Sequence, residues 1–355
     1  MSEAGTIERG RGVSTIAGIA RRAGRRFASS LPALLGVVVF TFLLMRVLPG
    51  DPAVFFASGP NAGKAEIEEL RRTLGLDKPI PLQLVYYLRD IGTGNLGRSL
   101  TTGQPVVADL RHRLPASLEL TITALVLALS LALPLGIVAA LKQGSLADHC
   151  VRMMCTLGVC VPTFVSGLLL IYVFYYLLGL APDPTGRLDV FTPEPPRWTG
   201  FLLADALIAR DWGAGSAALR QLILPAATMA MFVLAPLARM TRASMLAVLG
   251  SDFIRTARAM GLPRRRIVLG YALRNALLPV ITIAGIVFST MLGANVLVEK
   301  VFSWPGVASY ALDALLASDY APVQGFVLLM ATIFVAVNLT IDVLYGIADP
   351  RIAIE

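Results

Sequence analysis

Six runs of apolar, nearly uncharged residues recur along the chain, at about 27–48, 116–141, 153–180, 221–237, 277–297 and 326–345. A helix needs about 20 apolar residues to cross the roughly 30 Å hydrocarbon layer of a bilayer, and each run is near that length. Lipid offers the backbone no water to bond to, so each run must satisfy its own N–H and C=O groups as a helix. Composition supports this reading, because only 15% of the 355 residues are charged, against about a quarter in soluble chains. The expectation is an all-α integral membrane protein with six transmembrane helices.

Charge sets the expected orientation. Arg9, Arg11, Arg21, Arg22, Arg25 and Arg26 face only Glu3 and Glu8 in the tail 1–27, and such a tail stays in the cytoplasm. No small-x-small cleavage site follows the first run. Arg46-Val47-Leu48-Pro49-Gly50-Asp51-Pro52 reads as a helix exit, so 28–48 is a retained first span with Arg46 snorkelling outward. Six crossings then place both termini, including the tail 348–355, in the cytoplasm of a multi-pass cell-membrane protein.

The segment 49–115 holds no run long enough to span. Ile67, Leu70 and Leu74 recur on one helical face that ends at Gly75, and Pro81 can open a helix carrying Leu84, Leu88 and Ile91. This predicts a small, helix-rich external subdomain. Gly59-Pro60-Asn61-Ala62-Gly63-Lys64-Ala65 looks superficially like a phosphate-binding loop, but its glycines are one residue too close and Ala65 stands where Ser or Thr would hold magnesium. It reads as a surface turn. In the loop 181–220, Trp198 and Trp212 suit the outer interface.

Between the fourth and fifth runs lies a polar, arginine-rich stretch, 251–279. Asp252-Phe253-Ile254-Arg255-Thr256-Ala257-Arg258-Ala259-Met260 reads as a short helix, with Asp252 near its start and Phe253, Ala257 and Met260 on one face. Gly261 can take the left-handed conformation that closes a helix, and Pro263 fits the first turn of another. The stretch therefore encodes two helices joined by an elbow at the membrane surface.

Chemistry of other kinds is not visible. No Gly-x-Ser-x-Gly, His-Glu-x-x-His or Cys-x-x-Cys occurs. Cys150, Cys155 and Cys160 are five apart, which matches neither zinc nor a disulfide framework, and histidine is limited to His112 and His149. The net charge of +8 sits beside apolar runs, with no basic stripe interleaved with aromatics for nucleic acid. Glu119 and Glu299 fall near external ends of spans, and Asp342 lies about one turn beyond Asn338 in the sixth. Asn338 and Asp342 are candidates for the transport pathway; a cap or headgroup ion pair is the alternative for Asp342. Pro162, inside the third run, bends that helix either beside the pathway or for packing alone.

The run from Arg255 through Ala257 and Gly261 to Ala272-Leu273-Arg274-Asn275-Ala276-Leu277-Leu278-Pro279 resembles the cytoplasmic EAA loop of ABC importer permeases, specifically the dipeptide/oligopeptide/nickel family. Further segments are similar to that family in the expected order: Leu74 to Pro81, Asn95 to Leu100, Ala116-Ser117-Leu118-Glu119-Leu120, Glu299 to Gly306, and Ala348-Asp349-Pro350-Arg351-Ile352. The chain departs from the name-giving pattern, with Arg255 and Thr256 where Glu and Ala would stand. The resemblance implies a type I permease core in the last five spans, 116–347, with a coupling loop at 240–276. It also implies a coupling role for Asp252, Phe253, Arg255, Thr256, Ala257, Met260, Gly261 and Pro263, on a short helix that docks in an ATPase subunit. No cofactor is expected in this chain, since ATP and magnesium would bind to the partners. Those partners would be a second homologous permease, two ATPase subunits and an extracellular substrate-binding protein, with peptide as cargo. Nickel, glutathione or oligosaccharide importers remain alternatives within the family. A stand-alone secondary transporter or channel is the alternative outside it.

Overall fold

The computed structural model describes residues 4–47, 51–57, 63–189 and 191–348, and every regular element among them is helical. The turn at 59–65 lies mostly outside these residues. Five helices are long and apolar enough to span: α1 (Ala4–Val47, apolar over Ala28–Val47), α5 (Val106–Leu141), α9 (Trp212–Leu249), α11 (Leu273–Ala294, preceded by a π-helical turn Arg266–Ala272) and α14 (Tyr320–Ala348). The third run is not one helix. It divides into α6 (Leu146–Cys160) and α7 (Thr163–Leu170, continued as a π-helix Ile171–Leu177), with a bend of 100° between them. Six spans result when this bent pair is taken as one.

The bend has a local cause. Proline restricts the residue before it to extended backbone, and Val161 and Pro162 both adopt it, with ψ of 126° and 139°. Other prolines do not break their helices: Pro115 and Pro134 sit within α5, Pro225 and Pro236 within α9. Neighbouring helices can re-satisfy the carbonyl each one frees.

The centre of the bundle is α5 against α9. Both bury small residues at a spacing of four: Ala116, Ala124, Ala128, Ala132 and Gly136 on α5, and Ala214, Ala218, Ala226 and Ala230 on α9. Small residues let backbones approach closely, the main source of helix association where lipid removes the hydrophobic drive. The approach is tightest at Gly136, where a Cβ would meet Thr241 Cβ at 2.6 Å and the Ala238 carbonyl at 2.9 Å. The fourth run reads as only 221–237, yet α9 extends well past it at both ends, because its buried stripe continues through Thr241, Ser244 and Met245. The start of the coupling loop, 240–249, is therefore helix continuous with α9.

One end of the bundle carries the loops. There α8 (Leu202–Ala209), α12 (Val296–Val301) and α13 (Val307–Leu316) are held by buried carboxylates. Glu299 is fully buried and accepts from Ser117 Oγ at 2.6 Å and Ser309 N at 2.7 Å. Gly306 leaves no room for a Cβ, which would enter that carboxylate. Trp304 Nε1 donates to the Ala116 carbonyl at 2.9 Å, and Asn295 Nδ2 to Thr121 Oγ1 at 2.8 Å. Glu119 pairs with Arg187 and accepts from Leu203 N at 2.8 Å. Asp205 accepts from Thr199 N at 2.7 Å and Gly200 N at 2.9 Å, and Asp319 from Ser99 Oγ at 2.7 Å and Thr101 N at 3.0 Å. Trp198 and Trp212 are exposed at this end.

The segment after α1 forms α2 (Pro52–Phe56), α3 (Lys64–Thr73) and α4 (Ile80–Gly92). Gly75 has φ 66° just after α3, and Pro81 stands in the first turn of α4. Neither α3 nor α4 buries any residue, and Ile67, Leu70, Leu74, Leu84, Leu88 and Ile91 are half-buried. These helices form a thin cover without a core of their own. Arg46 differs from the expectation of a side chain reaching outward. Its guanidinium lies 4.7 Å from the Phe42 ring centre and 5.1 Å from that of Tyr320, and its Nε donates to Gln83 Oε1 at 2.9 Å. Stacking on two rings holds it inside the protein.

Candidate functional site

At the other end of the bundle, α9 turns through Gly250 and Ser251 into α10 (Asp252–Ala259). Asp252, in its first turn, favours the positive end of the helix dipole and pairs with Arg255 at 3.1 Å, both side chains largely exposed. The helix closes as the elbow requires. Gly261 has φ 75°, its N–H donates to the Arg258 carbonyl at 3.0 Å, and Leu262 N donates to the Ala257 carbonyl at 3.3 Å. These two bonds form the Schellman closure, which needs a left-handed residue at Gly261. Pro263 stands one residue before the next helical residue, Arg264, rather than inside its first turn. Its carbonyl accepts from Arg266 N at 2.9 Å and Ile267 N at 3.1 Å, so it caps that helix.

The stripe of Phe253, Ala257 and Met260 is divided by the structure. Ala257 turns inward with the fully buried Ile254, packing on Ala140, Met245, Ile267, Val268 and Ala272. Phe253 is 46% exposed and Met260 73%. Arg255 and Thr256 are exposed beside them. Periodicity marked an amphipathic helix, and the packing sets its anchors as Ile254 and Ala257. The outward face is thus Phe253, Arg255, Thr256 and Met260, apolar at two positions and cationic at one. A cleft of about 950 Å³ flanks α10, and Lys142, Arg258 and Arg264 line it without any carboxylate.

A buried ion pair near this end has no counterpart among the sequence expectations. Asp148, on the first turn of α6, is 1% exposed and receives both arms of Arg242 on α9, Nε to Oδ1 at 2.7 Å and Nη2 to Oδ2 at 2.8 Å. Gly144 N also donates to it at 3.0 Å. The only signal in the residues is Ser145-x-x-Asp148 after a glycine, the spacing of a helix start, and nothing in it names a partner 94 residues away.

Of the pathway candidates, Pro162 is exposed in the bend between α6 and α7, and Asn338 is half-buried on α14. No described hydrogen bond joins them. Asp342 belongs to α14, but its side chain lies outside the described residues. An apolar cavity of about 470 Å³ lies in the crook of the bend, lined by Met154, Cys155, Leu169, Val173, Met231 and Leu234 among others. Among the described residues no group of three or more His, Cys, Asp or Glu side chains could hold a metal ion.

Comparison with known proteins covers almost the whole chain. Residues 132–354 match the family described as binding-protein-dependent transport system inner membrane component, and residues 20–121 match the N-terminal region of membrane components of such systems. The chain is 43% identical to the di/tripeptide transport system permease protein DppB of Pseudomonas aeruginosa, over 92% of this chain and 97% of that protein. It is 44% identical to the probable D,D-dipeptide transport system permease protein DdpB of Escherichia coli K12, over 89% and 93%. With the dipeptide transport system permease protein DppB of the same strain the identity is 40%, over 92% and 97%.

Proposed function

Because the chain belongs to the family of binding-protein-dependent transport system inner membrane components, we propose that it forms half of the membrane pathway of an ATP-driven importer of short peptides. The cargo class rests on relatives at 40–44% identity that are named for dipeptides and tripeptides. A second, homologous permease supplies the other half, an extracellular binding protein delivers the peptide, and two ATPase subunits bind ATP and magnesium. The observation that carries this reading is the outward face of α10, where Phe253, Arg255, Thr256 and Met260 project from a helix anchored only by Ile254 and Ala257. Such a face, apolar with a charge at its edge, suits a partner cleft.

The route of force follows from the packing. ATPase closure moves α10, which continues directly from α9 through a two-residue turn and feeds the helix before α11. The close contact of Gly136 with Ala238 and Thr241 ties the elbow halves of α5 and α9 together, so a displacement at the elbow moves both. Alternating access then follows from two such pairs, one per permease, rocking about the pathway.

Both termini and the elbow are assigned to the cytoplasm, and α3 and α4 to the outside. A cysteine at the exposed Thr93 should react with a membrane-impermeant thiol reagent in intact cells, whereas one at Ala259 should stay unlabelled. Uptake of a labelled dipeptide into vesicles should need internal ATP and the binding protein. Uptake persisting without any ATPase subunit would sink the importer reading.

A further inference from the structure

We propose that the Asp148–Arg242 ion pair is the positioning link through which α9 carries the first limb of the bent span, with Val161–Pro162 as the hinge. The proposal rests on the importer reading. Its basis is that the two limbs are fastened to different halves of α9.

The first limb, α6, is fixed to the elbow half of α9. The bidentate fork of Arg242 on Asp148 sets both distance and orientation, which a single bond would not. Arg242 lies on the same helix that ends at Leu249, two residues before α10 begins. Farther along α6, a Cβ at Gly158 would meet the Met231 carbonyl at 3.3 Å, so the limb stays close to α9 up to the bend. The second limb, α7, is wedged between the loop half of α9 and α12. A Cβ at Gly167 would meet Phe302 Cε2 at 3.2 Å and Thr228 Cγ2 at 3.3 Å, and Phe302 directly follows α12, whose Glu299 is locked to Ser117. Between the limbs the backbone is extended for two residues; the Pro162 carbonyl accepts from Ser166 N at 3.1 Å within the second limb, and no described backbone hydrogen bond joins α6 to α7.

The consequence is directional. When the elbow half of α9 moves against its loop half, the ion pair obliges α6 to follow, while α7 stays with the loop half and α12. The difference is absorbed at Val161–Pro162, and the apolar crook lined by Met154, Leu169 and Met231 changes width. A buried carboxylate with two matched bonds suits this task, because breaking it strands a charge and the limb cannot slip cheaply to a new register.

The test is made on the chain as it assembles in membrane vesicles, with Cys150, Cys155 and Cys160 replaced by Ala and spin labels at the exposed Thr156 and Leu168, on either side of the bend. Asp148→Asn should broaden the label distance distribution, abolish its change on ATP binding, and reduce peptide uptake on the order of tenfold. The charge exchange Asp148→Arg with Arg242→Asp should recover part of both. Glu119→Gln is the control, since it weakens another buried, arginine-paired carboxylate that does not join α6 to α9; it should leave the distribution as in the parent. If Asp148→Asn fails to accumulate, Arg242→Lys keeps the charge but loses the fork and should broaden the distribution by a smaller amount. An unchanged distribution in whichever of these two variants accumulates, or equal broadening in Glu119→Gln, would overturn the proposal. The label distances do not depend on what energises transport, so uptake found to need no ATPase would sink the importer reading while the distances still decide for or against the link.

Discussion

The two ends of the bundle are built on opposite principles. At the loop end, Glu119, Glu299, Asp205 and Asp319 are all buried, and each collects hydrogen bonds from two or more donors. At the elbow end one buried pair, Asp148 with Arg242, ties α6 to α9, but α10 itself is held by two side chains, and its Asp252 and Arg255 stand in solvent. Buried carboxylates that each hold two or more hydrogen bonds favour a rigid, specific structure, even though Arg187 Nε, Asn295 Oδ1 and Asp319 Oδ1 at the same end are buried without a partner, whereas an exposed ion pair contributes little. The loop end is therefore held together by bonds within this chain. The elbow end leaves a face for another protein to complete.

The comparison breaks or sharpens through substitution, and the effects should decline from the loop end to the elbow. The largest loss of stability is expected from Gly306→Ala, because its Cβ would be driven into the Glu299 carboxylate in a packed site. A cost of about 3 kcal/mol is expected from overpacking, read as a fall in the unfolding midpoint in detergent. A midpoint like that of the parent would show that the loop end is looser than its hydrogen bonds suggest.

Glu299→Gln should cost less, about 1–2 kcal/mol, since one of its donors loses a carboxylate acceptor. It should also change the pH response. Burial pushes the Glu299 carboxyl above the ordinary carboxylate range, outweighing the bonds from Ser117 and Ser309 that favour the charged form. The folded state then holds the proton more tightly than the unfolded one. The corresponding stability is present below the ordinary carboxylate value and is lost as pH rises through the raised one. Stability of the parent should decline over that window, and the Gln variant should lack this component. Equal slopes for both proteins would rule out Glu299 as the cause.

At the elbow, a Cβ at Gly261 meets no neighbouring atom within 4 Å, so the main cost of Gly261→Val is the left-handed backbone, about 1–2 kcal/mol. Its main effect should be on coupling: substrate-stimulated ATP hydrolysis and uptake should both fall while the protein still inserts. Leu70→Asp with Leu74→Asp should cost less still, because α3 has no buried residue, and a large fall in the midpoint would reveal a core in that cover that the packing lacks. The smallest effect on stability is expected from Arg255→Glu, which should leave the midpoint unchanged yet weaken retention of the ATPase on purification. Normal retention and uptake would remove the assignment of this face.

Much of this molecule was legible in its residues. The lengths of the apolar runs marked the spans, and the spacing of Asp252, Gly261 and Pro263 marked a short helix, a left-handed stop and a restart. The sequence placed Phe253, Ala257 and Met260 on one face without saying which residues are covered; two apolar stripes overlap on α10, and only the position of Ala140, Met245 and Ile267 decides that Ile254 and Ala257 are buried. Arg46 was read as reaching toward water because sequence does not reveal Tyr320 beside it.

By itself the sequence determined the features that local physics dictates: helix where lipid forbids anything else, a turn where only glycine is unstrained, extended backbone before Pro162. The tertiary structure alone decided which distant groups meet. Ser117 and Glu299 are 182 residues apart, and Arg242 and Asp148 are 94. Their encounter depends on the register and separation of α5, α6, α9 and α12, which the small-residue stripes of α5 and α9 fix by close approach. A one-residue shift along a helix turns a side chain by about 100°, so these pairings exist only once the helices have packed.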